Sequence, residues 1–292
     1  MNRTSEGWIW GALGILIFSG SLPATRLAVI SIDPWFLTAA RAAIAGVIGL
    51  ALLIGLRQPW PARRDYAPLA VVSLGVIVGF PLLTALALRH IDTAHSILFT
   101  GLLPLATAGF GVLRAGERPD PRFWLLALTG GGVVAGYALI LQPGANLLGD
   151  GLMLAAIAIC GLGYAEGGVL SRRLGGWQVI CWALVLTLPV SLVAVAITRV
   201  PDWTMVGTAA WLGLGYVTLF SMLIGFMCWY RGLALGGIAA VGQMQLLQPF
   251  AALALVAVLL RERIAPGMVV AMLAVLACVI GARHLSIRST QS

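Results

Sequence analysis

Charged side chains are scarce in this sequence, and lysine is absent altogether. Only 10% of the 292 residues are charged, 60% are hydrophobic, and the mean hydropathy is +1.00. A water-soluble domain of this length could not bury so much apolar surface, so the surplus must face lipid. The composition therefore argues against a soluble enzyme and predicts an integral membrane protein.

The positive charges are all arginines, 18 in number, and the formal net charge is +8. These arginines stand singly or in pairs between apolar runs instead of clustering on one segment. A nucleic-acid partner is therefore not expected, because binding a phosphate backbone calls for a concentrated basic patch.

Several chemical motifs are also missing. The four cysteines lie inside apolar runs with no CxxC spacing and no histidine close in sequence, so neither disulfides nor a metal site nor a cofactor is expected. The absence of GxxxxGK[ST] excludes ATP-driven transport by this chain. The absence of HExxH, GxSxG and paired aspartates argues against a membrane-embedded enzyme.

Apolar runs long enough to cross a membrane fill almost the whole chain. A bilayer core of about 30 Å needs roughly 20 residues of helix. Ten such runs are present, at 8–29, 34–56, 67–89, 93–114, 122–141, 150–171, 177–198, 206–231, 237–260 and 265–285. We therefore predict an all-α integral membrane protein with ten transmembrane helices and no soluble domain.

The arginines predict the orientation of these helices. With a cytoplasmic N-terminus, twelve arginines lie in cytoplasmic connections and tails, and five lie on the other side. Because positive residues are enriched on the cytoplasmic side, both termini are expected there.

An internal repeat is the most informative feature. Residues 86–118 align with residues 231–263 at a constant offset of 145, which places Pro104 on Pro249 and the pair Glu117-Arg118 on Glu262-Arg263. Such matches at one offset indicate duplication. The offset divides the chain into two five-helix units, 1–143 and 144–292. Because five is odd, the second unit must cross the membrane upside down, as in the inverted repeats of many secondary transporters that work by alternating access.

The repeated pattern of a small-residue helix, a proline, an apolar stretch and Glu-Arg, at 94–118 and again at 239–263, resembles the EamA domain of the drug/metabolite transporter superfamily. The resemblance covers essentially the whole chain in two copies. It implies a ten-helix carrier of the bacterial inner membrane, and among subgroups it is most similar to the YddG-type exporters of aromatic and other neutral amino acids. The expected partners are a small-molecule substrate and the lipid bilayer, with the chain as a monomer or a weak oligomer.

Polar side chains inside the spans are few, so each is a binding candidate. In the fourth span His95, Phe99 and Thr100 lie within two turns, and the repeat places Gln245 opposite Thr100. Gln248 shares a helix face with Gln245. Because amides both donate and accept hydrogen bonds, these glutamines are suited to the ammonium and carboxylate of a zwitterion, with interhelical contacts as the alternative role. A substrate site is expected near the midplane between Thr100 and Gln245.

Four prolines lie inside predicted spans: Pro23, Pro81, Pro104 and Pro249. Each removes a backbone hydrogen bond and favours a break in its helix. The carbonyls freed around positions 100 and 245 are candidates for coordinating the substrate. A simple packing kink is the alternative.

Glu166 lies in the sixth span between small residues. A carboxyl group there is costly to ionise, so Glu166 is the candidate for proton coupling or for binding an ammonium group. The alternative is a buried ion pair with Arg41, the other charge well inside a span. Arg41 itself is expected to be structural.

Aromatic cargo would need aromatic side chains inside the bundle. The candidates to face a cavity between the third, fourth, sixth, eighth and ninth spans are Phe80, Phe99, Tyr164, Phe226 and Tyr230. Thr84 joins them as a polar candidate. Core packing or contact with lipid is the alternative fate of each ring.

Two kinds of cargo remain open at this stage. The first is neutral, including aromatic, amino acids and related metabolites. The second is lipophilic cations or drugs, neutralised by Glu166. Phosphorylated cargo is disfavoured, because it would call for more interior positive charge than Arg41 alone.

Overall fold

The computed structural model describes residues 3–116, 121–140, 146–198, 204, 206–259, 266–267, 269–274 and 276–278. Regular structure in these ranges is entirely helical. Seven of the described helices are long and apolar enough to cross a membrane: Glu6–Val29, Pro34–Gly55, Arg63–Ala87, Thr93–Ala115, Leu147–Leu174, Gly176–Ile197 and Thr208–Gly236. The expected all-α membrane protein is thereby confirmed.

Three of these crossing helices are continuous: α3 (Pro34–Gly55), α9 (Leu147–Leu174) and α10 (Gly176–Ile197). Asp33 caps α3, because its Oδ1 accepts a hydrogen bond from the Trp35 N–H at 2.9 Å, and Pro34 occupies the first turn, where no N–H is needed. Asn146 caps α9 in the same way. Gly175, at φ +93°, makes the tight turn between α9 and α10.

The other four are interrupted. The first consists of α1 (Arg3–Ser19) and α2 (Ser21–Val29), and another of α6 (Thr93–Thr100) and α7 (Leu103–Ala115). Two contain π-helical segments: Ser73–Gly79 lies between α4 (Tyr66–Val72) and α5 (Phe80–Ala87), and Tyr216–Gly225 lies between α11 (Thr208–Gly215) and α12 (Phe226–Gly236).

The described residues form further helices besides these seven. These are α8 (Pro121–Ile140), α13 (Ile238–Gly242), a 3₁₀ segment (Gln243–Leu247) and α14 (Gln248–Leu259), followed by helical residues at 269–274 and 276–278. The repeated pairs Glu117-Arg118 and Glu262-Arg263, and the end of the tenth predicted span, lie outside the described residues.

Helical elements recur at the offset that relates the two sequence segments. Helix α6 begins at Thr93 and α13 at Ile238, and α7 begins at Leu103 and α14 at Gln248; both separations are 145 residues. Shifted by the same 145, the π segment Ser73–Gly79 falls within the π segment Tyr216–Gly225. Corresponding parts of the two halves are therefore irregular in corresponding ways.

Ion pairs between helix ends show which ends share a face of the bundle. The face that holds the start of α1, here called the amino-terminal face, joins Glu6 to Arg231 at 2.6 Å. The end of α9 lies on this face too, because a methyl group on Gly176 would overlap the backbone of Arg231. At the opposite face His95 contacts Asp150, near the start of α9, at 2.8 Å. Helix α9 therefore runs antiparallel to α1.

Glycines four residues apart bring pairs of helices into close contact. A methyl group on Gly7 would lie 2.6 Å from the Gly236 nitrogen, and one on Gly232 would lie 2.7 Å from the Gly11 nitrogen. Helices α1 and α12 therefore pack backbone to backbone, as small-residue pairs allow in lipid. A methyl group on Gly75 would lie 2.8 Å from the Gly163 Cα, so these two helices also pack closely. In contrast, no described atom lies within 4 Å of a methyl group on Gly132 or Gly136.

Candidate functional site

A small closed cavity lies where the interrupted helices meet. Its volume is about 20 Å³, enough for one or two water molecules. Its walls come from α1–α2, α3, the segment Ser73–Ala87, α9, the segment Tyr216–Gly236 and α14. The lining residues are Phe18, Ser21, Leu22, Thr25, Arg41, Val76, Phe80, Pro81, Thr84, Tyr164, Ser221, Phe226 and Gln248. A solute larger than one or two water molecules does not fit this space unless the residues around it move.

The interruption of the first helix builds one wall. Pro23 has no N–H to offer the carbonyl of Ser19, so the helix breaks between Ser19 and Ser21. The hydroxyl of Ser19 donates to the Ile15 carbonyl at 2.8 Å and lies 3.4 Å from the Gln248 carbonyl. Ser21 Oγ lies 2.7 Å from Ser221 Oγ. Ser221 belongs to the π segment Tyr216–Gly225. The break is therefore held by polar contacts to the second half of the chain.

A cluster of aromatic rings forms another wall. The ring of Phe226 lies 4.9 Å from that of Phe18 and 5.9 Å from that of Tyr164, between centroids. Trp229 backs Tyr164 at 5.5 Å, and Phe80 lines the cavity from the third helix. Edge and tilted contacts of this kind present both ring faces and ring edges to a bound group.

The two ends of the cavity differ in polarity. Arg41 is seven residues past the start of α3, about 10 Å in from the opposite face. Thr84 is also close to that face, three residues before the end of α5. Phe226 and Tyr164 lie farther toward the amino-terminal face. The cavity therefore has a cationic, hydroxyl-bearing end and an aromatic end.

Arg41 is the single charged residue among the described residues that line this cavity. Its residue surface is 5% exposed, and its buried Nε has no hydrogen-bond partner in the described part of the chain. Among described residues the ion pairs join other groups. The guanidinium is thus buried without an acidic partner among the described residues.

Six of the residues singled out from the sequence line the cavity: Phe80, Pro81, Thr84, Tyr164, Phe226 and Gln248. Gln248 Oε1 is buried and has no partner among the described residues. These side chains, distributed over three crossing helices and α14, are brought together by the fold.

Five other candidates do not line it: His95, Phe99, Thr100, Tyr230 and Gln245. His95 Nε2 bonds Asp150 Oδ1 at 2.8 Å with the Phe99 ring against it, and Thr100 Oγ1 donates to the Ile97 carbonyl at 2.6 Å. The Tyr230 hydroxyl donates to the Gly163 carbonyl at 3.2 Å. The cavity is therefore displaced from the position expected between Thr100 and Gln245, toward the first, second and third helices.

Gln245 is a separate case. It is fully buried in the 3₁₀ segment, and neither atom of its amide group has a partner among the described residues. An unsatisfied buried amide is costly, so this side chain needs a partner in some state of the protein.

The alternative pairing of Glu166 with Arg41 is wrong. Glu166 Oε2 lies 2.5 Å from Arg114 Nε, and the Arg114 side chain is 45% exposed. Glu166 is in the last third of α9, near the amino-terminal face, whereas Arg41 lies near the opposite face. Glu166 is therefore paired with a partly exposed arginine and not with Arg41.

Each of the four prolines stands next to an irregular helix segment. Pro104 follows the gap between α6 and α7, and Pro249 follows the 3₁₀ segment Gln243–Leu247. Pro81 follows the π segment of its own helix, and Pro23 follows the break at Gly20.

Sequence reasoning missed Phe18, Ser21, Thr25 and Ser221, and it assigned Arg41 to structure. One available signal was the offset of 145 residues. It relates Val76 to Ser221 and Pro81 to Phe226, and all four line the cavity. Within the described residues, no cluster of three His, Cys, Asp or Glu side chains could hold a metal ion.

A helical membrane bundle whose broken helices close around a small cavity with mixed aromatic and polar walls is the architecture of a small-molecule carrier. The sequence profile of the EamA-like transporter family matches residues 5–142 and again residues 147–283. The chain therefore belongs to the EamA-like transporter family.

Two further comparisons agree with this assignment. The chain is 59% identical over 286 residues to the Uncharacterized transporter YdeK of Bacillus subtilis (strain 168), covering 98% of this chain and 100% of that protein. A crystal structure with 23% sequence identity matches its fold at a TM-score of 0.70, over 97% of this chain and 98% of the other. The chain is thus a multi-pass membrane transporter, and its function implies a small-molecule substrate.

Proposed function

We propose that this transporter is a secondary carrier that exports neutral amino acids, aromatic ones among them, and related metabolites across the bacterial inner membrane by alternating access. The observation that carries the proposal is the closed central cavity, with rings at one end and polar groups at the other. Export as the direction of transport follows from family resemblance.

The walls of the cavity match the parts of a neutral amino acid. The rings of Phe18, Tyr164 and Phe226 offer contact to an apolar or aromatic side chain. The unpartnered Oε1 of Gln248 offers an acceptor to an ammonium group. Gln245, one turn away along the chain, is a second acceptor once the helices separate.

Alternating access is supported by the arrangement of the two halves, 1–143 and 144–292. The corresponding elements 145 residues apart, together with the antiparallel course of α1 and α9, favour ten helices in two inverted five-helix units. Separate contacts join helices at each face of the bundle. At the opposite face Arg26 donates to the Leu88 carbonyl, and at the amino-terminal face Arg173 pairs with Asp65 at 2.8 Å.

The topology completes the proposal. The excess of arginine in alternate connections supports cytoplasmic termini, which makes the amino-terminal face the cytoplasmic one. In this orientation the aromatic end of the cavity is nearer the cytoplasm. We propose a monomer or weak oligomer as the working form.

The geometry disfavours lipophilic cations as cargo. A cation in the cavity would meet Arg41, the single charge in its lining. Glu166, which would have to neutralise that cation, is paired with Arg114.

Transport by purified protein in proteoliposomes tests the proposal. Labelled phenylalanine and leucine should leave vesicles that contain the protein faster than they leave protein-free vesicles. Unlabelled amino acids should compete with this efflux, and a cationic dye should not. Efflux of the dye without efflux of any amino acid would contradict the proposal.

A variant sharpens this test. Phe226→Ala should lower phenylalanine transport about tenfold or more, because it removes a ring from the cavity wall, and should affect leucine less. Phe220→Ala is the matched control, since Phe220 is in the same π-containing helix but 46% exposed. Equal losses of phenylalanine transport in both variants would contradict the role assigned to Phe226.

A further inference from the structure

We infer that Arg41 is the substrate-binding residue that recognises a free carboxylate on the cargo. The class of cargo is a compound with one carboxylate and an apolar, preferably flat, remainder. The inference rests on the proposed function only in placing the cargo in the central cavity.

The first step is the state of the guanidinium. Arg41 lines the cavity, is 5% exposed, and has no partner for Nε among the described residues. A buried charge is costly when unpaired, and intramembrane arginines are normally matched by acids or carbonyls. A structural arginine would have such a partner in the resting fold, so the inferred partner of this guanidinium is a ligand that binds and dissociates.

The second step is a comparison with the other buried charges. Glu166 is bonded to Arg114, Asp65 to Arg173, and His95 to Asp150. These pairs lie outside the cavity lining. The fold thus pairs the charges that serve structure and leaves Arg41 unpaired at the cavity.

The third step concerns the neighbouring hydroxyl groups. Thr84 Oγ1 donates to the Phe80 carbonyl at 2.8 Å, and Ser21 and Ser221 bond each other at 2.7 Å. The Thr84 proton is therefore used, and of the two serine protons one is used in the Ser21–Ser221 bond while the other stays free. The guanidinium is therefore the strongest free donor at this end of the cavity, and its planar fork matches a carboxylate in two parallel hydrogen bonds.

The fourth step is the orientation of the cargo. With its carboxylate on Arg41, a bound molecule would extend its remainder toward Tyr164 and Phe226. Among the described residues, no acidic side chain lines the cavity. An ammonium group on the cargo is therefore tolerated at Gln248 but is not required, so a carboxylate lacking the amino group should bind as well.

Binding of four probes to purified full-length protein tests the inference. The probes are phenylalanine, 3-phenylpropionate, phenylalanine amide and phenethylamine, measured by calorimetry and by the shift of the melting temperature. Both carboxylates should bind at least tenfold more tightly than the amide or the amine. Equal affinity of the amide and the acid for the unmodified protein would overturn the inference without any variant, as would the failure of both carboxylates to bind.

Variants separate recognition from structural support. Arg41→Gln should abolish the preference for the acid over the amide, and Arg41→Lys should retain part of it. Arg89→Gln, at the opposite face with a side chain 55% exposed, is the control and should keep the full preference. A merely structural Arg41 would change the melting temperature and leave the acid-to-amide ratio unchanged, which would contradict the inference.

The outcomes also distinguish this inference from the proposed function. If phenylpropionate binds through Arg41 while no amino acid is transported, the carboxylate site stands and the amino-acid exporter fails. If amino acids are transported and Arg41→Gln keeps the preference for acids, the exporter stands and the carboxylate site fails.

Discussion

Buried polar side chains in this transporter fall into two groups according to whether the fold supplies a partner. Glu166, His95 and Asp150 are bonded to side chains on neighbouring helices. Both polar atoms of the Gln245 amide, and Nε of Arg41, lack a partner among the described residues, whereas His95 and Asp150 each leave only one atom without a partner. Because an unmatched polar group in the membrane interior is costly, the second group contains the stronger candidates for binding a ligand.

The pair of Glu166 with Arg114 gives a prediction at this scale. Glu166→Gln should lower the free energy of unfolding by about 1–2 kcal/mol, less than for a fully buried pair, because solvent reaches Arg114. Thermal melting in lipid nanodiscs measures the loss. Arg114→Gln with Glu166→Gln should lose less than the sum of the single variants, since the two groups interact directly.

The same variants decide the role in proton coupling that the sequence suggested for Glu166. With the carboxylate held by Arg114, we expect Glu166→Gln to keep any transport driven by a pH gradient. Loss of that transport in a variant with unchanged melting would instead assign proton carriage to Glu166.

At the scale of helices, interruptions place the cavity and glycines set the distances between backbones. The breaks near Pro23 and Pro249 could be anticipated from sequence, because proline removes a helical hydrogen bond wherever it stands. The π segments Ser73–Gly79 and Tyr216–Gly225 could not, since no residue type marks them. That the two π segments correspond to each other becomes evident only when structural elements 145 residues apart are compared.

Close packing of α1 on α12 predicts the outcome of enlarging a glycine. Gly232→Leu should destabilise the fold by about 1–3 kcal/mol or more, because even its Cβ would lie 2.7 Å from the Gly11 nitrogen. Folded yield and melting temperature after purification provide the measurement. Gly132→Leu is the matched control, because no described atom lies within 4 Å of its added Cβ, and equal damage in both variants would contradict the packing.

For the whole molecule, sequence reasoning identified more of the architecture than of the site. Apolar runs suffice to predict a helical membrane protein, and the recurrence of Pro104 at Pro249 suffices to propose a repeat, because both depend on residue types along the chain. The cavity depends on which helices become neighbours. Thr100 and Gln245 are equivalent in the repeat, yet the helices around them pack so that the space opens beside Arg41 and Phe226 instead.

The cavity has a volume of about 20 Å³, so a substrate site at this place is too small to hold cargo in this structure. The proposed amino-acid cargo needs far more space, so in the proposed alternating-access cycle the contacts at one face open while those at the other hold. The His95–Asp150 pair and the Arg173–Asp65 pair lie at opposite faces and are natural participants in these two closures.

The most direct test of the central cavity as an alternating substrate site is thiol labelling of Ser221→Cys, in a background where Cys160, Cys181, Cys228 and Cys278 are replaced. Ser221 lines the cavity from the π segment of its helix. A membrane-impermeant thiol reagent should reach the introduced cysteine from either side of the membrane, and saturating phenylalanine should slow the labelling from both. Labelling from one side only, or labelling that neither phenylalanine nor any other transported compound slows, would contradict an alternating substrate site at this cavity.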